Sequence, residues 1–102
     1  MRVMPDHLSA ERVTTELAGL DGWTGDTTRI RRSVDAGSRS AEIIEAVAVT
    51  AAELNHHPVV ASEAGTVTFE VWTHSAGAVT GLDIELARRI DAVLHGLLDL
   101  NR

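Results

Sequence analysis

Within residues 66–74, Thr-Val-Thr-Phe-Glu-Val-Trp-Thr-His, the stretch from Thr66 to Val71 alternates between polar and apolar side chains. A strict period of two over this length fits a β-strand with one packed face and one wet face, and no helix can accommodate it. Val67, Phe69 and Val71 fall on the packed face; Thr68, Glu70, Trp72 and His74 fall on the other. Residues 59–64 form a second strand-like run, and Gly65 between the two predicts a hairpin. The chain must therefore build a sheet and supply something apolar to cover one side of it. The opposite side would leave a Trp and a His in solvent if the domain stood alone.

The cover comes from helical segments. Ser9 can cap a helix running to about Leu20, with Leu8 before it and then Val13, Leu17 and Leu20 at three- and four-residue steps, after a ragged start over residues 1–8. Leu20-Asp21-Gly22-Trp23 breaks that pattern. Residues 40–55 read as the clearest helix: Ile43, Ile44, Val47, Ala48, Ala51 and Leu54 give a wide apolar face, with Glu42, Glu45 and Glu53 on a narrow wet stripe opposite. Pro58 stops it, because proline lacks the N–H and disfavours helix at the residue before it. A last helix is expected from about Gly81 to Leu100, opened by a Thr80/Asp83 capping box and buried along Leu82, Leu86, Ile90, Val93 and Leu97. Residues 28–35 read as a strand in which Arg32 lies between Ile30 and Val34 on one face, which favours an edge position. Ala36-Gly37-Ser38 is a turn. The order helix, strand or strands, helix, strand, strand, helix predicts an α+β domain: an antiparallel sheet covered by helices on one side. The 102 residues are enough for this one domain, 1–102, and too few for two.

Charge narrows the partners. The net charge is −6, and all nine basic residues are Arg. A negative chain has no electrostatic reason to bind a phosphate backbone, so no nucleic-acid partner is expected. Arg29, Arg31 and Arg32 form the only basic cluster and read as solvated strand surface. With no Cys, there are no disulfides, thiolate catalysis or Cys-based zinc sites. No signal peptide is visible, and no apolar run reaches the roughly 18 residues of a membrane span. We expect a cytoplasmic protein with no membrane partner.

Chemistry gathers at three places. Asn55-His56-His57-Pro58 sits where a helix ends and a strand begins, Thr73-His74 at a strand end, and Asp83 in the first turn of the last helix. Imidazole gives and takes protons easily near neutral pH. Two histidines at a junction and a third at a strand end could bracket a flat heterocycle from two sides. Each group also has a plainer role: His56 and His57 can cap helix carbonyls, His74 can sit on a wet sheet face, and Asp83 can serve only as a cap. Trp72 reads as an oligomer contact or core edge more readily than as a stacking platform. His7 and His95 read as surface residues. Three histidines could also hold zinc, but adjacent histidines diverge on a strand or a helix, so no metal site is expected.

Asn55-His56-His57-Pro58, Thr73-His74, Gly77, Asp83, Leu86-Ala87 and Ile90-Asp91 resemble the pattern of the pterin-4a-carbinolamine dehydratases. The steps of seventeen residues from His57 to His74 and nine from His74 to Asp83 match the family spacing, and Gly22-Trp23 resembles its early Gly-Trp. The likeness is strong over residues 51–91. It implies three helices against a four-stranded antiparallel sheet, a homodimer or homotetramer, and dehydration of 4a-hydroxytetrahydrobiopterin to the quinonoid dihydropterin without metal or cofactor, within tetrahydrobiopterin recycling. On that basis His56 and His74 take acid–base roles and His57 orients the substrate. Asp83 holds His74 or stabilises its charged form. Thr73, Ser75, Glu53 and Pro58 are candidate substrate contacts. Glu53 lies three residues before His56 and four before His57, within reach of either on a continued helix, although its stripe also faces water. The chain departs from the family at Ala52, Val59 and Ser75, where acidic residues are usual, and at Ala64, where an aromatic is common. Those losses motivate a second reading: a non-catalytic pterin-binding or protein-dimerisation module on the same fold.

Overall fold

The computed structural model describes residues 7–98. Most of the ragged start expected at 1–8, and the last two residues of the helix expected to reach Leu100, lie outside the described residues. Helix α1 spans Ala10–Ala18, β1 Thr24–Gly25, β2 Ile30–Asp35, α2 Ser40–Leu54, β3 Val59–Glu63, β4 Thr66–Val71 and α3 Gly81–Leu98. The strands form one antiparallel sheet in the order β1-β2-β4-β3. The three helices lie over one face, giving the α+β architecture expected.

The core follows from the alternation. Val67, Phe69 and Val71 on β4 meet Ile30 and Val34 of β2 on the covered face, with Ile30 opposite Val71 and Val34 opposite Val67. Ile43, Val47 and Ala51 of α2 and Ala87, Ile90 and Leu94 of α3 close over them. The buried stripe of α2 is narrower than the sequence suggests: Ala48 is exposed and Val49 is 59% exposed. Helix α2 packs chiefly against α3, with further contact to β4 and to the short turn that precedes α2. On α3 the expected Leu86 and Ile90 are buried and Val93 and Leu97 pack against the core, but the stripe is wider and starts later. Leu82 is 43% exposed, while Ile84, Ala87 and Leu94 are buried.

Capping sets the ends. Ser9 Oγ accepts from the Arg12 N–H at 3.1 Å and starts α1. The helix stops at Ala18, short of the expected Leu20, and Leu20 and Trp23 turn back into the core. The hairpin uses a two-residue turn, Ala64-Gly65, with positive φ at both positions, the conformation that matches the twist of a tight hairpin.

Two features of the β2 region differ from expectation. The sequence did not separate β1, whose two residues pair with Arg31 and Ile30. Gly25 permits that approach: a Cβ there would stand 2.2 Å from the Arg29 carbonyl oxygen. Arg32 is not solvated surface. Its side chain is 11% exposed and its Nη1 donates to Asp91 Oδ1 at 2.8 Å, where the Trp23 indole N–H also donates at 2.8 Å. An interior strand can tolerate this arginine because α3 supplies a carboxylate above it. Arg29 and Arg31 stay exposed and lie beside Glu70.

A candidate active site between the α2–β3 junction and the loop after β4

Helix α2 ends with Asn55 in the left-handed conformation, φ 52° and ψ 41°, a role asparagine fills more easily than most residues. The His56 N–H then bonds back to the Ala51 carbonyl at 3.0 Å. This fixes the backbone of the doublet and turns it off the helix axis. Glu53 therefore does not meet the histidines through helical spacing. It is exposed and absent from the cavity wall, which corrects the contact considered for it. Pro58 likewise faces elsewhere, lining a small apolar groove with Ile44, Val47 and Val60.

Strand β4 ends at Val71, three residues earlier than the alternation suggests. Thr73 enters a tight loop closed by its own N–H to the Ala78 carbonyl at 3.0 Å and by the Gly77 N–H to the Thr73 carbonyl at 2.9 Å. Gly77 has φ +64°. The loop keeps the alternation: Thr73 continues the buried side, and His74 stays exposed on the other.

The two junctions face one another across a cavity of about 440 Å³, lined by His56, His57, Trp72, Thr73, His74 and Ser75 together with Asn55 and Leu82. That volume falls within the roughly 300–1,000 Å³ of small-molecule sites. The convergence expected for His56, His57 and His74 is present, and Thr73 and Ser75 stand with them.

Behind the cavity, Asp83 is fully buried, and donors meet both of its oxygens. Oδ2 accepts from the Thr80 N–H at 2.8 Å and from the Thr73 hydroxyl at 2.8 Å. Oδ1 lies 2.5 Å from His56 Nε2. Thr73 Oγ1 and Thr80 Oγ1 are 2.7 Å apart. A buried carboxylate is tolerable only when its lone pairs are so occupied. Asp83 thus caps α3 with one oxygen and holds an imidazole with the other. The held imidazole is His56, not His74 as expected. The reason is register: Asp83 lies under the α2–β3 junction, while His74 projects from the outer side of its loop. A carboxylate oxygen accepts, so an ionised Asp83 takes the Nε2–H of His56 and leaves Nδ1 outside this bond.

His74 has a different support. Its ring stacks on Trp72 at 4.7 Å between centroids, with the planes 23° apart. Sequence reasoning gave Trp72 no place in the site, although it sits two residues before His74 on the same side of the chain. Leu82 was assigned to the core and instead lines the cavity, 43% exposed. Among the departures from the family pattern, only Ser75 lines this cavity; Ala52, Val59 and Ala64 do not. Among the described residues, no group of three or more His, Cys, Asp or Glu side chains is arranged to hold a metal, and no helix is long and apolar enough to cross a membrane.

Known proteins are similar to this chain in sequence and in fold. The sequence model of the family described as Pterin 4 alpha carbinolamine dehydratase matches residues 6–93. A Nocardia farcinica protein that carries the provisional name pterin-4-alpha-carbinolamine dehydratase is 45% identical over 86 residues, 82% of this chain and 90% of its own. A Streptomyces coelicolor protein with the same provisional name is 42% identical over 92 residues, 87% of this chain and 91% of its own. The fold is similar to the crystal structure of a transcriptional coactivator/pterin dehydratase from Brucella melitensis, with a TM-score of 0.80 and 30% identity over 86% of this chain and 98% of that one. With its family model matched from residue 6 to residue 93 and its three histidines around one cavity, the chain belongs to the pterin-4a-carbinolamine dehydratase family.

Proposed function

We propose that the protein dehydrates a 4a-hydroxytetrahydropterin to the quinonoid dihydropterin, as a hydro-lyase, with His56 and His74 as the acid–base pair. The observation that carries this reading is the meeting of His56, His57 and His74 on one cavity, with His56 held from behind by the buried Asp83. In the reaction the C4a–O bond breaks, and the hydroxyl takes up a proton and leaves as water. The adjacent ring N–H loses a proton, and its electron pair forms the new C=N bond. One imidazole must donate while another accepts, which suits groups that titrate near neutrality. His56, held through Nε2, works through Nδ1. His57 orients the ring, with Thr73 and Ser75 as further contacts. The substrate would come from oxidative use of a tetrahydropterin, so the step belongs to tetrahydrobiopterin recycling in the cytoplasm, with no cofactor required.

The test is direct. The carbinolamine is generated in situ and the quinonoid dihydropterin followed by absorbance. The wild-type chain should exceed the buffer rate, and His74→Ala should lose about 10²–10⁴-fold in kcat. A wild-type rate equal to buffer would remove the reading.

Self-association, as a homodimer or homotetramer, has support at the sheet edge. All five residues of β3 are exposed, Val59 to 50%, and the strand pairs only with β4 among the described residues. Stable oligomers without pterin binding by calorimetry would favour the non-catalytic module instead.

A further inference from the structure

The dehydration reading uses His74 but does not explain what holds it. Among the described residues, the His74 side chain makes no hydrogen bond, whereas His56 is held by Asp83 at 2.5 Å. An exposed imidazole on a loop can occupy several staggered rotamers, and only one would face a substrate productively. The orienting contact present is the Trp72 indole, stacked at 4.7 Å. Trp72 has a support of its own. The Arg29 guanidinium carbon sits 4.4 Å from the indole centroid, and Arg29 Nη1 lies 3.7 Å from Glu70, whose other oxygen is 3.7 Å from Arg31. The sheet register explains the row. Ile30 pairs with Val71 and Arg31 with Glu70, so Arg29 continues opposite Trp72 on the open face, and His74 follows two residues on.

We infer that Trp72, backed by Arg29, is the positioning residue that fixes the His74 imidazole on the cavity wall. The catalytic consequence rests on the dehydration reading; the geometry does not. Trp72 acts through His74 and not as a platform for the pterin, because an imidazole and a guanidinium already pack against its rings. Locking one rotamer by an aromatic stack is worth about three- to tenfold in the population of the productive orientation.

The experiment combines NMR with kinetics on the full chain. In the wild type, the indole ring current should displace the His74 ring-proton signals upfield, and Trp72→Leu should return them to the position of an unstacked histidine. In the dehydration assay, Trp72→Leu should lower kcat about three- to tenfold with KM within about twofold, and Trp72→Phe should restore most of it. In a His74→Ala background, Trp72→Leu should cost nothing further. Signals that do not move in Trp72→Leu would overturn the inference. So would an equal loss with and without His74, or a rise in KM at unchanged kcat, which would make the indole a substrate contact. If the wild-type chain fails to dehydrate the carbinolamine, the functional reading falls, and the ring-current arm alone supports or overturns the positioning role.

Discussion

Helix α3 carries two aspartates that face the sheet about two turns apart, and the fold uses them differently. Asp91 meets Arg32 and the Trp23 indole in a cluster whose charged side chains are 16% and 11% exposed. Asp83 is fully buried and meets His56, Thr73 and Thr80. The first pair joins a guanidinium to a carboxylate, and neither residue lines the main cavity. It clamps β2 to α3. The second pair joins a carboxylate to a titratable ring that does line the cavity. A guanidinium–carboxylate pair gives rigidity, whereas a carboxylate bonded to one imidazole nitrogen leaves the other nitrogen unengaged by it. The same side chain on the same helix thus becomes a fastener or part of a site according to its partner.

His56→Ala should separate the two regions most sharply. It should cost about 10²–10⁴-fold in kcat by removing an acid–base group. It should also cost about 1–3 kcal/mol in denaturant stability, because Asp83 Oδ1 loses its partner. A variant with near-wild-type kcat would place His56 outside the chemistry. Asp91→Ala should do the reverse. It strands a mostly buried Arg32, whose Nε already has no partner among the described residues, and should cost about 3 kcal/mol of stability while leaving kcat per folded molecule unchanged. A kcat loss without a stability loss would break the comparison. Thr73→Val removes one donor to Asp83 and the contact with Thr80. About 1 kcal/mol of stability should go, with a few-fold fall in kcat, and Thr73→Ser should recover both.

The smallest effect belongs to a third aspartate. Asp26 sits in the β1–β2 loop in full solvent. The Thr28 hydroxyl, then the Thr28 and Arg29 N–H groups, hold its carboxyl below the usual range. A carboxyl lowered in the folded state adds stability above its unfolded pKa and loses it as the pH falls through the folded value. Asp26→Asn should therefore lower Tm slightly at neutral pH, and the difference should vanish in acid. A difference that persists in acid would show that the loop needs the shape of the side chain and not its charge.

Much of the fold was readable because local patterns agreed with it. The alternation from Val67 to Val71, the four-residue steps of Ile43, Val47 and Ala51, and Pro58 after a helix each have one local solution. The Thr80/Asp83 cap was readable on the same terms. Strand β1 was not, since two residues carry no period and exist as a strand only by pairing with β2. Arg32 was misread because an arginine between two buried positions looks solvated until a partner 59 residues away is known. Glu53 was misjudged because a spacing rule for helices fails where Asn55 takes the left-handed turn.

The sequence by itself determined the element types, the packed side of the sheet and the residues able to move protons, since these depend on periodicity and on side-chain chemistry. Only the tertiary structure decided which imidazole Asp83 would hold, which arginine would be buried and which indole would back His74. Those outcomes depend on distances of a few ångströms between segments far apart in the chain. Hydrogen bonds and ion pairs weaken too steeply with distance and angle for spacing along the chain to stand in for them.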